Sequence, residues 1–207
     1  MHAEIPPRWS MASAADKLVF GIYFSGVAIC FALSATYHTV MNHSQKMDAF
    51  GAQLDFQGVI LLMWGATVPL VYYGFACEAR LRVGYWSMPR FRDPYLRPVR
   101  AATFGSLAIF TMVPVLHGIG LYGWEIQKQR MGIVWVVVTL GLNVTGATAY
   151  AVKFPERWCR RHFDLVGASH QVFHVLVVLA ALVYMKGLLQ AFDYVHGGEH
   201  SCGSAAR

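Results

Sequence analysis

Five apolar runs, each close to the length of a membrane-crossing helix, constrain this chain more than any other feature. They cover residues 18–41, 58–76, 101–122, 131–152 and 169–189. About twenty predominantly apolar residues form a helix that spans the hydrocarbon core of a bilayer. Since 56% of the 207 residues are hydrophobic and only 14% are charged, the chain is too apolar for an ordinary soluble domain. The sequence therefore predicts an all-α polytopic helix bundle in a membrane, with a transmembrane domain over 18–189.

The two terminal segments contain no run of this kind. Residues 1–17 include Pro6-Pro7, and residues 190–207 end in small and polar side chains, so we expect both segments to be tails. The first run has an alternative interpretation as a signal peptide, because Lys17 precedes it and small residues occur at its end. It is long for that purpose, and four further runs follow it, which favours a membrane span.

Charge and cysteine content exclude two further classes. The formal net charge of +6 could indicate nucleic-acid binding, but the 17 basic residues fall in the gaps between apolar runs. There they are typical of topology signals, since cytoplasmic loops carry an excess of Lys and Arg, and we expect no nucleic-acid partner. The four cysteines share no close spacing, so neither a disulfide framework nor a cysteine zinc site is predicted. They are Cys30, Cys77, Cys159 and Cys202.

Two histidines at the start of the last run form the most informative local motif, Ser169-His170-Gln171-Val172-Phe173-His174. Helical side chains four residues apart lie one turn apart on the same face, so both imidazoles could reach one metal ion. Ionisable groups at the edge of a membrane span are costly and are functional candidates by default. The alternative is a pair of interfacial histidines that hydrogen-bond to headgroups and carbonyl groups.

A third histidine ligand conflicts with a simple five-span topology. His38 lies at the end of the first run, whereas His170 and His174 open the fifth. If the five spans alternate, these ends lie on opposite faces, on the order of 30 Å apart. A site that includes His38 therefore requires one more crossing.

Three other segments carry a resemblance to a known family. The first run ends Ser34-Ala35-Thr36-Tyr37-His38-Thr39-Val40, the second begins Leu54-Asp55-Phe56-Gln57-Gly58, and Val152-Lys153-Phe154-Pro155-Glu156-Arg157 precedes the last. With the histidine motif, they resemble the PAQR family of adiponectin receptors, their fungal relatives and hemolysin III proteins, and the likeness is closest to the fungal type. It covers about residues 16–197. The resemblance implies seven spans and a zinc ion held by three histidines near the cytoplasmic side.

This chain departs from that family pattern in two places. It begins just before the family's second span, and the fourth span is missing between Leu81 and Ser87. A restored crossing there would bring His38 to the same face as His170 and His174, together with most of the basic residues. The gap also leaves open a truncated product that keeps the motifs and lacks the activity.

The resemblance implies a role for each candidate residue. His38, His170 and His174 are expected to bind zinc, which keeps a fourth position for water and lowers the pKa of that water. Asp55 is the candidate to orient or deprotonate this water, and Ser34, one turn before His38, to hydrogen-bond within the site. The alternatives are that Asp55 caps the second span and that Ser34 packs or bonds within its own helix.

Two classes of function follow from the resemblance. The first is a zinc-dependent lipid amide hydrolase, ceramidase-like, acting in the plasma membrane or an endomembrane on a sphingolipid and releasing free fatty acid. The second is a receptor-like protein of lipid or metal homeostasis in which zinc is structural, with an unidentified extracellular or protein ligand. A second metal cluster at His196, His200 and Cys202 is a weak alternative, because Gly197-Gly198 weakens any helix that would align them.

Overall fold

Every regular element that the structure describes is helical. The computed structural model describes residues 5–86, 111–155, 157 and 167–197. Within these ranges there is no strand, which confirms the predicted all-α class. The helices are α1 (Ile5–Met11), α2 (Ala14–Val40), α3 (Gln45–Gly74), α4 (Ala79–Trp86), α5 (Thr111–Tyr122), α6 (Trp124–Arg130), α7 (Ile133–Val152) and α8 (Ser169–His196).

Four of these helices, α2, α3, α7 and α8, are long and apolar enough to cross a membrane. They correspond to the first, second, fourth and fifth predicted runs. Of the third run, residues 101–110 lie outside the described residues, and α5 covers the remainder. The family's fourth span is missing from this chain between Leu81 and Ser87. In that segment, residues up to Trp86 lie in α4, and Ser87 lies outside the described ranges. The chain is an integral, multi-pass membrane protein.

The predicted N-terminal tail over 1–17 is helical from Ile5 onward, apart from a short break before α2. Helix α2 begins early because Ser13 and Asp16 form a capping box. The Ser13 hydroxyl accepts from the Asp16 N–H, while the Asp16 carboxylate accepts from the Ser13 N–H. These bonds satisfy backbone donors that the first turn of a helix leaves open.

Helices α3 and α8 also exceed their apolar runs. Helix α3 begins at Gln45 rather than near 58, because the Ser44 side chain caps it by accepting from the Met47 N–H. Helix α8 continues beyond residue 189 to His196, since Ala191 and Phe192 are buried against neighbouring elements. The predicted C-terminal tail is therefore helical over its first residues, and residues 198–207 lie outside the described part.

The chain divides into two compact units. The first contains the described residues up to Leu121, and the second is Tyr122–Gly197. Each is built on one pair of long helices, α2 with α3 in the first unit and α7 with α8 in the second. The candidate residues are divided between them: Ser34, His38 and Asp55 lie in the first unit, and His170 and His174 in the second.

In the first unit, glycines let α2 and α3 pack antiparallel at close range. A Cβ on Gly65 would lie 3.2 Å from the Ile22 carbonyl oxygen, and one on Gly26 would lie 3.1 Å from that of Leu61. Farther along, a Cβ on Gly58 would lie 3.0 Å from the Cα of Cys30. The contacts run in opposite directions along the two helices, so the end of α2 lies beside the beginning of α3.

In the second unit, α7 and α8 approach most closely where Gly132 meets Gly187. Gly132 precedes α7 with a φ of 57°, and a Cβ there would lie 2.7 Å from the Gly187 carbonyl oxygen. Both the left-handed backbone and the close approach require glycine. Toward the other end of α7, a Cβ on Gly146 would contact Phe173 at 3.2 Å and Leu176 at 3.3 Å.

Polar side chains join each helix pair at the end remote from its candidate residues. In the first unit, the Tyr73 hydroxyl donates to the buried Asp16 carboxylate at 2.9 Å. In the second, Trp135 Nε1 donates to Gln190 Oε1 at 2.7 Å, and Gln190 Nε2 donates to Gln129 Oε1 at 2.7 Å. Polar side chains on neighbouring helices thus satisfy one another's hydrogen-bonding groups, which would be costly to leave unpaired in apolar surroundings.

One cysteine is paired, although the sequence predicted no disulfide framework. Cys77, just after α3, is disulfide-bonded. Cys30, inside α2, is a buried free thiol. The absence of a repeated cysteine spacing excluded a disulfide framework but could not exclude a single bond formed by tertiary proximity.

Candidate metal centre

The first turn and a half of α8 carries the histidine pair, His170 and His174. Ala168 occupies the position before the helix and makes no side-chain capping bond, while the Gly167 N–H donates to Gln171 Oε1 at 2.6 Å. Both imidazoles are half-buried. Their Nε2 atoms lie 3.1 Å apart, and the two rings meet edge to face with centroids separated by 4.6 Å.

This geometry fits a tetrahedral metal ion. Zinc binds imidazole nitrogen at about 2.0–2.1 Å, so two nitrogens of one tetrahedral site lie roughly 3.4 Å apart. The observed 3.1 Å is close to that spacing. If both imidazoles are neutral and no metal is bound, there are two possibilities at this distance. One Nε2–H donates a hydrogen bond to the other Nε2, or the lone pairs of the two nitrogens face each other. The spacing predicted from His-x-x-x-His is therefore present with both ligand atoms on one side.

Aromatic side chains surround the pair within the second unit. The Tyr150 ring lies 5.1 Å from that of His170, and the Phe173 ring lies 5.6 Å from that of His174. Gly146, one turn before Tyr150, allows α7 to approach α8 closely enough for these contacts. Tyr150 was not predicted from the sequence, and its position one turn beyond a helix-packing glycine was the signal that could have located it.

The third predicted ligand, His38, lies in the last turn of α2 in the first unit. It is half-buried, and its ring lies 4.9 Å from the ring of Tyr37. Tyr37 in turn donates its hydroxyl to Asp48 Oδ1 at 3.1 Å and packs against Gly51. The end of α2 that carries His38 is thereby held against the first turns of α3.

Ser34, one turn before His38, has a buried hydroxyl. The residue is 7% exposed, and its Oγ has no hydrogen-bond partner among the residues described. The alternative that Ser34 bonds to its own helix is therefore not what the structure shows, in contrast to Thr36 and Thr39, whose hydroxyls donate to carbonyl groups one turn earlier. A buried polar atom of this kind is costly unless a ligand or water engages it.

Asp55 lies inside α3, in its third turn, and is half-buried. The capping alternative for Asp55 is wrong, because Ser44 caps this helix. Gly51 packs against Tyr37 on one side of Asp55, and Gly58 packs against Leu33 on the other. Asp55 is therefore level with the turn of α2 that contains Ser34.

The other predicted histidine positions make separate contacts. His196 Nδ1 lies 3.0 Å from the Phe192 carbonyl oxygen, a contact within α8. Its proposed partners His200 and Cys202 lie outside the described residues. His117, which was not among the predicted ligands, is exposed, and its ring lies 5.6 Å from that of Phe75.

One buried acidic residue was not predicted from the sequence at all. Asp16 is 1% exposed and is bonded by Ser13 and Tyr73. The Ser13-x-x-Asp16 spacing before an apolar run is a recognised capping signal and could have located it. Its bond to Tyr73, far away in the sequence, had no such signal. Asp16 is a structural residue of the first unit.

Comparison with known proteins identifies relatives over most of the chain. The family model described as haemolysin-III related matches residues 3–185. The adiponectin receptor protein of Drosophila melanogaster is 36% identical over 193 residues, covering 86% of this chain and 44% of that protein. ADIPOR-like receptor IZH2 of Saccharomyces cerevisiae is 31% identical over 195 residues, covering 87% and 62%. Heptahelical transmembrane protein ADIPOR2 of Oryza sativa subsp. japonica is 33% identical over 193 residues, covering 86% and 80%. The chain spans about half the length of the first of these relatives.

Proposed function

Because this chain belongs to the haemolysin-III-related, or PAQR, family of membrane proteins, we propose that it is a zinc-dependent lipid amide hydrolase of the ceramidase type. The observation that supports this most strongly is the facing pair of Nε2 atoms of His170 and His174. Their separation suits two ligands of one tetrahedral ion. In this proposal His38 supplies the third imidazole.

Two neighbours of His38 in the first unit support its assignment as the third ligand. His38 lies one turn from the buried Ser34 hydroxyl, and Asp55 is level with that turn on the adjacent helix. A half-buried carboxylate within a membrane helix is costly and indicates a functional partner. Such a site needs a hydrogen-bond donor, a proton acceptor and a side chain that can bind metal. Ser34, Asp55 and His38 would supply these groups at one end of the helix pair.

The chemistry is amide hydrolysis. His38, His170 and His174 would hold the zinc ion, which would supply Lewis acidity to the acyl carbonyl and to the attacking water. Asp55 then accepts a proton from the attacking water as its oxygen adds to the carbonyl carbon. Ser34 Oγ donates a hydrogen bond to the oxygen that gains negative charge. The C–N bond breaks, Asp55 returns the proton to the departing amine, and the products are a fatty acid and an amine.

The surroundings of the histidine pair suit a substrate within the bilayer. Val175, Val178 and Leu179 follow the pair on α8 and are exposed to the medium around the helix. An acyl chain in the membrane can lie along such a surface while its amide reaches the polar residues at the helix end. We therefore propose a membrane lipid, such as a sphingolipid, as the substrate and free fatty acid as a product.

The Cys77 disulfide indicates which end of the α2–α3 pair lies outside the cytosol, and the proposed site is at the other end. Disulfides persist in oxidising compartments and are rare in the cytosol. Cys77 follows the end of α3, and the His38 end of antiparallel α2 lies at the opposite end of the helix pair. The proposed site then faces the cytosol.

A receptor-like protein with a structural zinc is the second candidate. The names of the fruit-fly and yeast relatives describe receptors. The same three histidines would then stabilise one arrangement of the helices, and the readout would be conformational. The receptor-like candidate would bind the same zinc ion as the hydrolase but would not hydrolyse a lipid.

Metal content and ceramide hydrolysis, measured on the same purified protein, separate the two candidates. We expect about one zinc per chain and release of fatty acid, with His174→Ala abolishing both. His196→Ala, on the same helix, is the matched control and should retain both. Zinc without turnover would support the receptor-like function, and full zinc content in His174→Ala would contradict the ligand assignment.

A further inference from the structure

A groove runs between α2 and α3 in the first unit, away from the end that carries His38. Its volume is about 390 Å³. The residues that line it come from the first half of α2 and the middle of α3: Lys17, Leu18, Gly21, Ile22, Ser25, Gly26, Ile29, Leu61 and Trp64. It lies wholly within one unit.

Small residues create the depth of this groove. A Cβ on Gly21 would meet nothing within 4 Å, so the space above it is open. Gly26 lies at the base, where α2 contacts α3. Leu18, Leu61 and Trp64 line the groove, and their side chains are 65%, 41% and 46% exposed. The lining is mostly apolar, which suits a hydrocarbon chain.

The length of the groove matches one leaflet of a bilayer. Lys17 and Ile29 mark its two ends on α2. At 1.5 Å per residue they are about 18 Å apart along the helix. Half of the hydrocarbon core is about 15 Å thick. A chain that starts level with Lys17 therefore reaches the middle of the membrane near Ile29.

The Lys17 end of the groove is positively charged. Lys17 is exposed, and its Nζ lies 4.6 Å from the ring centre of Trp9, an aromatic contact suited to the headgroup region. The neighbouring carboxylate of Asp16 is buried, accepts hydrogen bonds from Ser13 and Tyr73, and is not among the residues that line the groove. An anionic headgroup would complement this end.

We propose that this groove is a binding site for a phospholipid with a net negative headgroup, which places one acyl chain over Gly21 and Ser25 and its phosphate beside Lys17. The occupant is a lipid of the bilayer rather than the substrate of the histidine site. The proposal stands independently of zinc and of hydrolysis.

Trp64 offers a direct reporter of the occupant, because an indole that lines the groove would be quenched by a brominated acyl chain. The protein is reconstituted into vesicles that contain either brominated phosphatidylglycerol or brominated phosphatidylcholine at the same mole fraction. The Trp64 signal is obtained as the difference between the wild type and Trp64→Phe. We expect phosphatidylglycerol to quench this signal with about a fivefold preference, the order of magnitude expected for one lysine near an anionic lipid.

Two substitutions test the assignment of charge and of shape. Lys17→Gln should abolish the preference, whereas Lys186→Gln, an exposed lysine beside Trp135 in the second unit, should retain it. Gly21→Leu should displace the chain and reduce quenching by both lipids. Gly141→Leu is its matched control, because Gly141 is also in a helix and a Cβ added there would meet nothing within 4 Å.

Three results would overturn the proposal. Equal quenching by the two phospholipids would show no headgroup preference, and an unchanged preference in Lys17→Gln would exclude the lysine. Stronger quenching by a brominated free fatty acid than by phosphatidylglycerol would assign the groove to a different lipid.

Discussion

The two units of this protein hold a helix pair together by different means. In the first, α2 and α3 are joined by a bond to a buried carboxylate, Asp16. In the second, α7 and α8 are joined by neutral amides and an indole, and the closest backbone approach is at Gly132. Glycines bring the helices close in both units. The first unit adds a hydrogen bond to a buried carboxylate, whereas the second has the tighter backbone approach, at Gly132. Both arrangements lie far from the candidate metal ligands along their helices.

The largest expected effect is in the second unit, from Gly132→Ala. The new Cβ would lie 2.7 Å from the Gly187 carbonyl oxygen in a left-handed backbone, which combines overpacking with strain. We expect a loss of about 3–5 kcal/mol in stability, measured by denaturant unfolding in mixed micelles. Gly141→Ala, where the Cβ meets nothing within 4 Å, is the control and should be neutral or slightly stabilising. Equal effects of the two substitutions would contradict the packing argument.

Loss of the buried carboxylate in the first unit should come next. Asp16→Ala removes the acceptor of the Tyr73 hydroxyl and one half of the capping box. Hydrogen bonds to charged groups contribute about 1.5–3 kcal/mol and a cap about 1 kcal/mol, so we expect about 2–4 kcal/mol. Tyr73→Phe should cost less, because the capping box remains. If Tyr73→Phe were as costly as Asp16→Ala, capping would play no part.

The corresponding polar contact in the second unit should matter less. Trp135→Phe removes the donor to Gln190 while Gln190 keeps its bond to Gln129. A neutral hydrogen bond contributes about 0.5–1.5 kcal/mol, and we expect a loss within that range. A loss as large as that of Asp16→Ala would remove the proposed difference between the units.

Ser34→Ala should have the smallest effect on stability and a clear effect on activity. Its hydroxyl has no partner in the described part of the chain, so its removal should be neutral or slightly stabilising. If the hydroxyl stabilises charge during hydrolysis, ceramide turnover should fall on the order of a hundredfold. Zinc content should remain that of the wild type. Unchanged turnover would exclude Ser34 from the chemistry.

The sequence predicted the helices well wherever packing and apolarity coincide. Helix α7 closely follows the run 131–152, and the beginning of α8 follows that of 169–189. The start of α3 was missed because polar and charged side chains interrupt the apolar ones in residues 45–57, so this segment is not an apolar run although Ser44 caps the helix. Asp55 was misread as a possible cap for the same reason. The family resemblance, which rested on four short motifs, is confirmed by the comparisons.

The candidate site was predictable only in part. The facing of His170 and His174 follows from helical spacing, and the structure shows it directly. The assignment of His38 as a ligand came from the resemblance, that of Ser34 from its position one turn before His38, and that of Asp55 from the cost of a carboxylate at the edge of a span. Spacing does not encode how residues on different helices meet, because tertiary packing decides it. The bond between Asp16 and Tyr73 was missed for that reason.

The most direct test of the metal centre is X-ray absorption at the zinc edge of the purified protein. The proposed ligand set predicts three imidazole nitrogens and one oxygen at about 2.0–2.1 Å in tetrahedral geometry. It also predicts that His38→Ala reduces the imidazole count to two or loses the metal. A sulfur ligand in the wild type, or an unchanged three-imidazole spectrum in His38→Ala, would contradict the account.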